Sequence, residues 1–145
     1  MLVTDLSVHH KIITKLETKN ISTLTEIQER TMLPAIQGKD IIASSKTGSG
    51  KTFAFLVPAI NRLMSQKALS RQDPRALILA PTRELGKQVF IEAKSMCTGL
   101  NLTCSLIVGG ENYNDQVKAL CRNPHIIVGT AGRVADHLLD KSVYL

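Results

Sequence analysis

Tryptophan is absent from the 145 residues, and tyrosine and phenylalanine together number five. That scarcity excludes a broad aromatic platform on which a row of ligand rings could stack. Cysteine is scarce too. Cys97, Cys104 and Cys121 are an odd number without paired spacing, which excludes a disulfide framework and reads as reduced thiols in a cytosolic core. Neither C-x-x-C nor H-x-x-x-H occurs, so no zinc pattern is present, and the pair His9-His10 reads as part of a solvated helical face. The N-terminus places Thr4, Asp5 and these two histidines where a secretion signal needs an apolar stretch. No apolar run reaches the roughly 18 residues of a membrane span. Internal repeats and low-complexity segments are also missing.

What remains is ordinary globular composition: 43% hydrophobic and 21% charged residues, enough for one domain with a real core. The formal net charge of +6 fits a polyanionic partner without requiring one. Apolar residues at Leu6, Ile12, Ile13 and Leu16 recur at helical spacing and stop at Lys19-Asn20. A second helix is predicted from Thr25 to just before Gly38. The short run Ile41-Ile42-Ala43 reads as a buried strand, and an apolar helix is predicted from Lys51 to about Met64. Ser65 to Pro74 is polar and aperiodic, a loop. Strands are then predicted at Ala76–Ala80, Leu102–Val108 and Ile126–Val128. They alternate with helices from Pro81 to about Met96, Glu111 to Leu120 and Ala131 to Leu139. Strands apolar on both faces that alternate with helices imply a parallel sheet covered on both sides.

Between the first expected strand and its helix lies Ser44-Ser45-Lys46-Thr47-Gly48-Ser49-Gly50-Lys51-Thr52. Glycines at 48 and 50 let consecutive backbone N–H groups turn inward onto a polyphosphate. The following helix presents its positive end to the same anion. Lys51 adds a full charge near the terminal phosphates, and the Thr52 hydroxyl can join the shell of a bound magnesium ion. The strict G-x-x-x-x-G-K-[ST] pattern has Ser45 in place of its first glycine, but strand, loop and helix follow in the order the mechanism needs.

Base choice points to Gln28. Its amide offers a donor and an acceptor side by side, which matches the N6 and N7 edge of adenine and opposes the two acceptors of guanine. Pro81-Thr82-Arg83-Glu84, Gly109-Gly110 and Thr130-Ala131-Gly132-Arg133 each sit at the carboxyl end of an expected strand, where ligands gather in parallel α/β sheets. Backbone N–H groups, hydroxyls and arginines suit a sugar-phosphate backbone. Asp136 and Asp140, on the last helix, match no motif and read as solvated.

Taken in order, these segments resemble the first RecA-like domain of DEAD-box RNA helicases, over essentially the whole chain. The family's GFxxPTPIQ appears as Asn20-Ile21-Ser22-Thr23-Leu24-Thr25-Glu26-Ile27-Gln28, its AxTGSGKT as Ser45 to Thr52, and its TPGR as Thr130 to Arg133. Its PTREL and GG motifs are intact at Pro81 to Leu85 and Gly109-Gly110. The resemblance implies an α/β RecA-like three-layer sandwich, a mostly parallel sheet with helices on both faces, spanning 1–145 and incomplete at the C-terminus. The adenine-reading region would be 1–38. It implies ATP and Mg2+ as cofactors, with Ile21, Thr25, Gln28 and Ser45 to Thr52 (Lys46, Thr47, Gly48, Ser49, Gly50 and Lys51 included) at the nucleotide. Lys51 and Thr52 would take the catalytic roles and Thr52 the magnesium. Pro81, Thr82, Arg83, Glu84, Gly109, Gly110, Thr130, Gly132 and Arg133 would track one RNA strand through its backbone and 2′-OH groups, with low sequence preference.

Departures from the pattern carry expectations of their own. Leu2 and Val3 stand where the family has an adenine-stacking aromatic, and Ile21 replaces a phenylalanine, so nucleotide affinity is expected to be low. Ala131 replaces the proline of TPGR. No Asp-Glu-Ala-Asp sequence occurs within these 145 residues, and the second RecA-like domain that the resemblance implies for the parent protein is not among them. The expectation is therefore the nucleotide-binding half of a helicase of the cytoplasm or, in a eukaryote, the nucleus, which binds ATP or ADP without turning it over alone. A non-catalytic ATP- or RNA-binding module and a DNA-directed relative are the alternatives.

Overall fold

Apolar residues at helical spacing fold the first part of the chain into α1 (His10–Thr18), α2 (Glu26–Ile36) and α3 (Lys51–Ser65), after one 3-10 turn at Val3–Asp5. The structure is a computed structural model that describes residues 1–46, 48, 50–65 and 76–145. The expected loop after Ser65 and the residues Thr47 and Ser49 lie outside these. Ile12 and Leu16 of α1 are buried, with Met32 of α2 and Leu56, Val57 and Ile60 of α3. The backbone N–H of His9, just before α1, donates to Asn61 Oδ1 of α3 at 2.9 Å. A capping box starts α2. Gln28 N–H donates to Thr25 Oγ1 at 3.4 Å, and Thr25 N–H donates to Gln28 Oε1 at 2.9 Å. Beyond the end of α2, Gly38 takes a left-handed φ of 86°.

Ile41-Ile42-Ala43, expected as a buried strand, is neither. No strand forms there, Ile42 is fully exposed, and among the described residues no strand pairs with the segment. An apolar run becomes a strand only where a neighbour completes its hydrogen-bond ladder. Here the run has hydrophobicity without a ladder.

The chain divides into two compact units, Met1–Lys67 and Ala68–Leu145. The second alternates strand and helix: β1 (Ala76–Leu79), α4 (Arg83–Cys97), β2 (Cys104–Ile107), α5 (Tyr113–Leu120), β3 (Ile126–Gly129) and α6 (Ala131–Leu139). The sheet order is β1-β3-β2, all parallel, and the central β3 is buried at all four positions. Ile107 and Ile127 point to one face, where they cluster with Leu120 of α5 and Val134 of α6. Leu106 points to the other and meets Gly86 of α4. Helices therefore cover both faces, as expected for a three-layer sandwich. The covering is incomplete at β1, where Leu77 and Leu79 are exposed.

Candidate functional site

Register brings the second unit's three motifs together. Leu79 and Ile107 both pair with Gly129, so the three strands end level with one another. Ala80 N–H donating to Gly129 O (2.8 Å) and Thr130 N–H donating to Ile107 O (3.1 Å) extend the ladder one residue further. The segments leaving those ends line one open cleft of about 590 Å3. Every residue expected there lines it: Pro81, Thr82, Arg83 and Glu84 before and within α4, Gly109 and Gly110 after β2, and Thr130, Gly132 and Arg133 at the start of α6. Asp136, read from sequence as merely solvated, lines it as well.

The guanidinium of Arg83 lies on the two glycines. A Cβ added at Gly110 would stand 2.5 Å from Arg83 Nη1, and one at Gly109 3.2 Å from Nη2. Gly110 also takes a left-handed φ of 82°, which side chains disfavour. Backbone angle thus favours glycine at 110, and at both positions a side chain would push the Arg83 guanidinium off its seat. The two cleft threonines differ. Thr82 Oγ1 caps α4 by accepting from Leu85 N–H at 3.2 Å, whereas the Thr130 hydroxyl makes no cap bond to α6. The first-turn N–H groups of α6 therefore lack a side-chain partner, the arrangement that favours an anion.

Behind Arg133 lies a buried polar cluster. Arg133 Nη1 donates to Glu111 O and to Gln116 Oε1, each at 3.1 Å, and its Nε lies 3.9 Å from Asp136 Oδ2. Gln116 Oε1 also meets His137 Nε2 at 2.9 Å, while Gln116 Nε2 donates to Val108 O at 2.9 Å. The Tyr113 ring stacks on His137 with centroids 4.2 Å apart and lies 5.5 Å from the Arg133 guanidinium carbon. Tyr113 donates to the Asp140 carboxylate, which raises the phenol's pKa above its usual value. Burial, and then the charge of Arg133, hold the His137 imidazole below its usual pKa. Sequence reading missed Gln116 and His137, although each interrupts an apolar helical stripe.

In the first unit, α3 begins at Lys51, and Ala54 N–H donates to Gly50 O at 3.3 Å. Gly48 and Gly50 both take left-handed φ, 82° and 87°, as a phosphate loop requires. Lys51 is exposed and donates from Nζ to Ser45 O, while Thr52 is half-buried at the helix start. Gln28 is 4% exposed, and its Nε2 donates to Gly50 O at 3.1 Å. Thr25, Ser45 and Lys46 line a groove of about 280 Å3 beside the N-terminus of α2. Ile21 does not line it; its N–H is bonded to Leu16 O. The amide of Gln28 already holds Thr25 and Gly50, which leaves one Oε1 lone pair and one Nε2 hydrogen for any ligand.

Residues 25–145 match the family model for the DEAD/DEAH box helicase. The ATP-dependent RNA helicase has1 of Emericella nidulans is 36% identical over 93% of this chain and 22% of its own length. The ATP-dependent RNA helicase RhlB of Pseudoalteromonas atlantica is 39% identical over 92% of the chain and 32% of its own length. The chain thus spans about a fifth to a third of the length of these curated relatives. The crystal structure of a DEAD box protein from the hyperthermophile Methanococcus jannaschii superposes with a TM-score of 0.88 at 34% identity, covering 100% of this chain and 39% of that one. With its motifs gathered at these strand ends and more than half of its residues matched by the family model, the chain belongs to the DEAD/DEAH box helicase family.

Proposed function

We propose that this chain carries the nucleotide-binding loop and part of the RNA-binding surface of an ATP-dependent RNA helicase. The observation that carries the reading is the convergence of three motifs at the level ends of three parallel strands, in one cleft with two arginines. Arg83 and Arg133 meet phosphates, and the Thr130 hydroxyl and the first N–H groups of α6 complete a backbone-reading surface. Among the described residues no aromatic side chain lines the cleft, so RNA is held without sequence preference.

The loop fits a polyphosphate. Left-handed glycines, an exposed lysine and a helix N-terminus are the parts such a site needs, and all are present. Bound Mg-ATP supplies the free energy of phosphoryl transfer. Lys51 would exchange the Ser45 carbonyl for a phosphate oxygen, and the Thr52 hydroxyl would join the magnesium shell. Gln28 offers its remaining donor and acceptor to adenine. Turnover needs acids that hold the metal and position water; the loop and Gln28 account for the binding of nucleotide.

Fluorescence anisotropy with labelled oligouridine and oligodeoxythymidine tests the cleft. Arg83→Ala is expected to weaken RNA binding about tenfold, equally for different RNA sequences, and to reduce the salt dependence. Unchanged affinity in a folded Arg83→Ala variant would overturn the assignment.

A further inference from the structure

We infer that Gln116 and His137 are positioning residues for Arg133, fixing which of its amino groups is free to meet RNA phosphate in the cleft. The inference rests on the RNA reading above and adds two residues that none of the motifs contains.

The hydrogen bonds can be oriented without ambiguity. Gln116 Nε2 donates to the Val108 carbonyl, so Oε1 is the end of the amide that faces α6. Arginine has donors only, so Arg133 Nη1 donates to Oε1 and marks that atom as an acceptor. His137 Nε2, 2.9 Å from the same oxygen, must then carry its proton. In the neutral ring that leaves Nδ1 bare, and Nδ1 is buried without a partner among the described residues. The charged or titratable groups around the ring are Arg133 and Asp136 on its own helix, Tyr113 stacked on it from α5, and Asp140 bonded to Tyr113. A proton on Nδ1 would bury an N–H with no acceptor beside the charge of Arg133. The imidazole is therefore held as a neutral, one-directional donor.

The consequence falls on Arg133. Both hydrogens of Nη1 are used, one on Glu111 O and one on Gln116 Oε1, and Nε lies beside Asp136. Nη2, with two hydrogens, makes no bond among the described residues and belongs to a side chain that lines the cleft. One oxygen, Gln116 Oε1, is shared by the arginine and the histidine. Loss of the His137 donor leaves Oε1 held only by the arginine and the amide anchored only through Nε2 on Val108 O, so the guanidinium loses one of its fixed references.

A double-mutant cycle read by anisotropy with labelled oligouridine tests this. Arg133→Ala and His137→Leu are each expected to weaken binding about tenfold. In the Arg133→Ala background, His137→Leu should add less than about twofold. His137→Gln, whose Nε2 reaches the same place as the imidazole Nε2, should restore most of the lost affinity. Equal loss from His137→Leu in both backgrounds would overturn the inference and leave the RNA reading standing on Arg133. RNA binding untouched by Arg133→Ala would overturn both. Should His137→Leu fail to fold, 15N NMR of the unmodified protein decides: protonated Nε2 with bare Nδ1 supports the inference, and the opposite tautomer overturns it.

Discussion

Gly50 and Gly110 both take left-handed backbone angles, and each lies against a side chain that a Cβ would displace, Gln28 in one case and Arg83 in the other. What holds them differs. Gly50 sits in a loop that, among the described residues, no strand supports. Its carbonyl is tied by the Gln28 amide, and the neighbouring lysine rests on the Ser45 carbonyl. Gly110 follows a strand whose register is locked, through β3, to both other strands of its sheet. The loop's shape therefore depends on a few polar bonds from side chains, and the cleft's shape on backbone pairing and the core behind it. Disturbing the core should ruin the cleft, whereas the loop should yield to the loss of single polar groups.

The largest expected effect follows from the cleft's dependence on its core. Ile127 is buried on the central strand among Ile107, Leu120, Val134 and Val143. Ile127→Ala should destabilise the protein by about 2–5 kcal/mol in urea unfolding, with RNA binding lost along with the fold. A loss below about 1 kcal/mol would show that the sheet is not what sets the cleft.

Next comes the loop. Lys51→Ala removes one of the loop's two exposed lysines without opening a cavity, so circular dichroism should be unchanged. Mg-ATP affinity by calorimetry should fall by about 1.5–3 kcal/mol, or roughly 10- to 150-fold. Unchanged affinity in the folded variant would show that the loop does not depend on this single polar group.

The smallest effect concerns pH. The His137 imidazole is held below its usual pKa of 6.5 by burial first and by the charge of Arg133 second, so the folded state resists the proton that the unfolded chain accepts. The stabilisation is complete above about pH 6.5 and is lost as pH falls toward the folded value, by at most about 1.4 kcal/mol per pH unit. Urea unfolding from about pH 8 to about pH 5 should show a steeper loss for the original protein than for His137→Gln. Parallel curves would mean that the buried ring adds nothing to the pH dependence.

Legibility in the sequence followed the physics of each signal. Helix α6 emerged with its observed bounds because Thr130 marks an extended N-cap and the apolar spacing begins at once. The capping box at Thr25 and Gln28 is a local pattern and placed α2 well. Cleft residues were legible because a strand end is a local event, and parallel pairing then gathers such ends. The run Ile41-Ile42-Ala43 misled because hydrophobicity is a property of a segment, while a strand is a property of a pair. Gln116 and His137 escaped because a lone polar residue in a helix is usually solvated. Spacing held the clue: Gln116 lies between Tyr113 and Leu120 at helical intervals, and His137 lies three residues after Val134.

The Gln28 amide joins the cap of α2 to the carbonyl of Gly50 in one hydrogen-bonded circuit. Its capacity is finite, so a ligand that recruits the bond now given to Gly50 loosens the loop, and a phosphate that reshapes the loop releases the amide. Linkage makes the two effects equal in free energy, whichever comes first. Adenine held at Gln28 would then change phosphate affinity at the loop by the same factor as phosphate changes the hold on adenine.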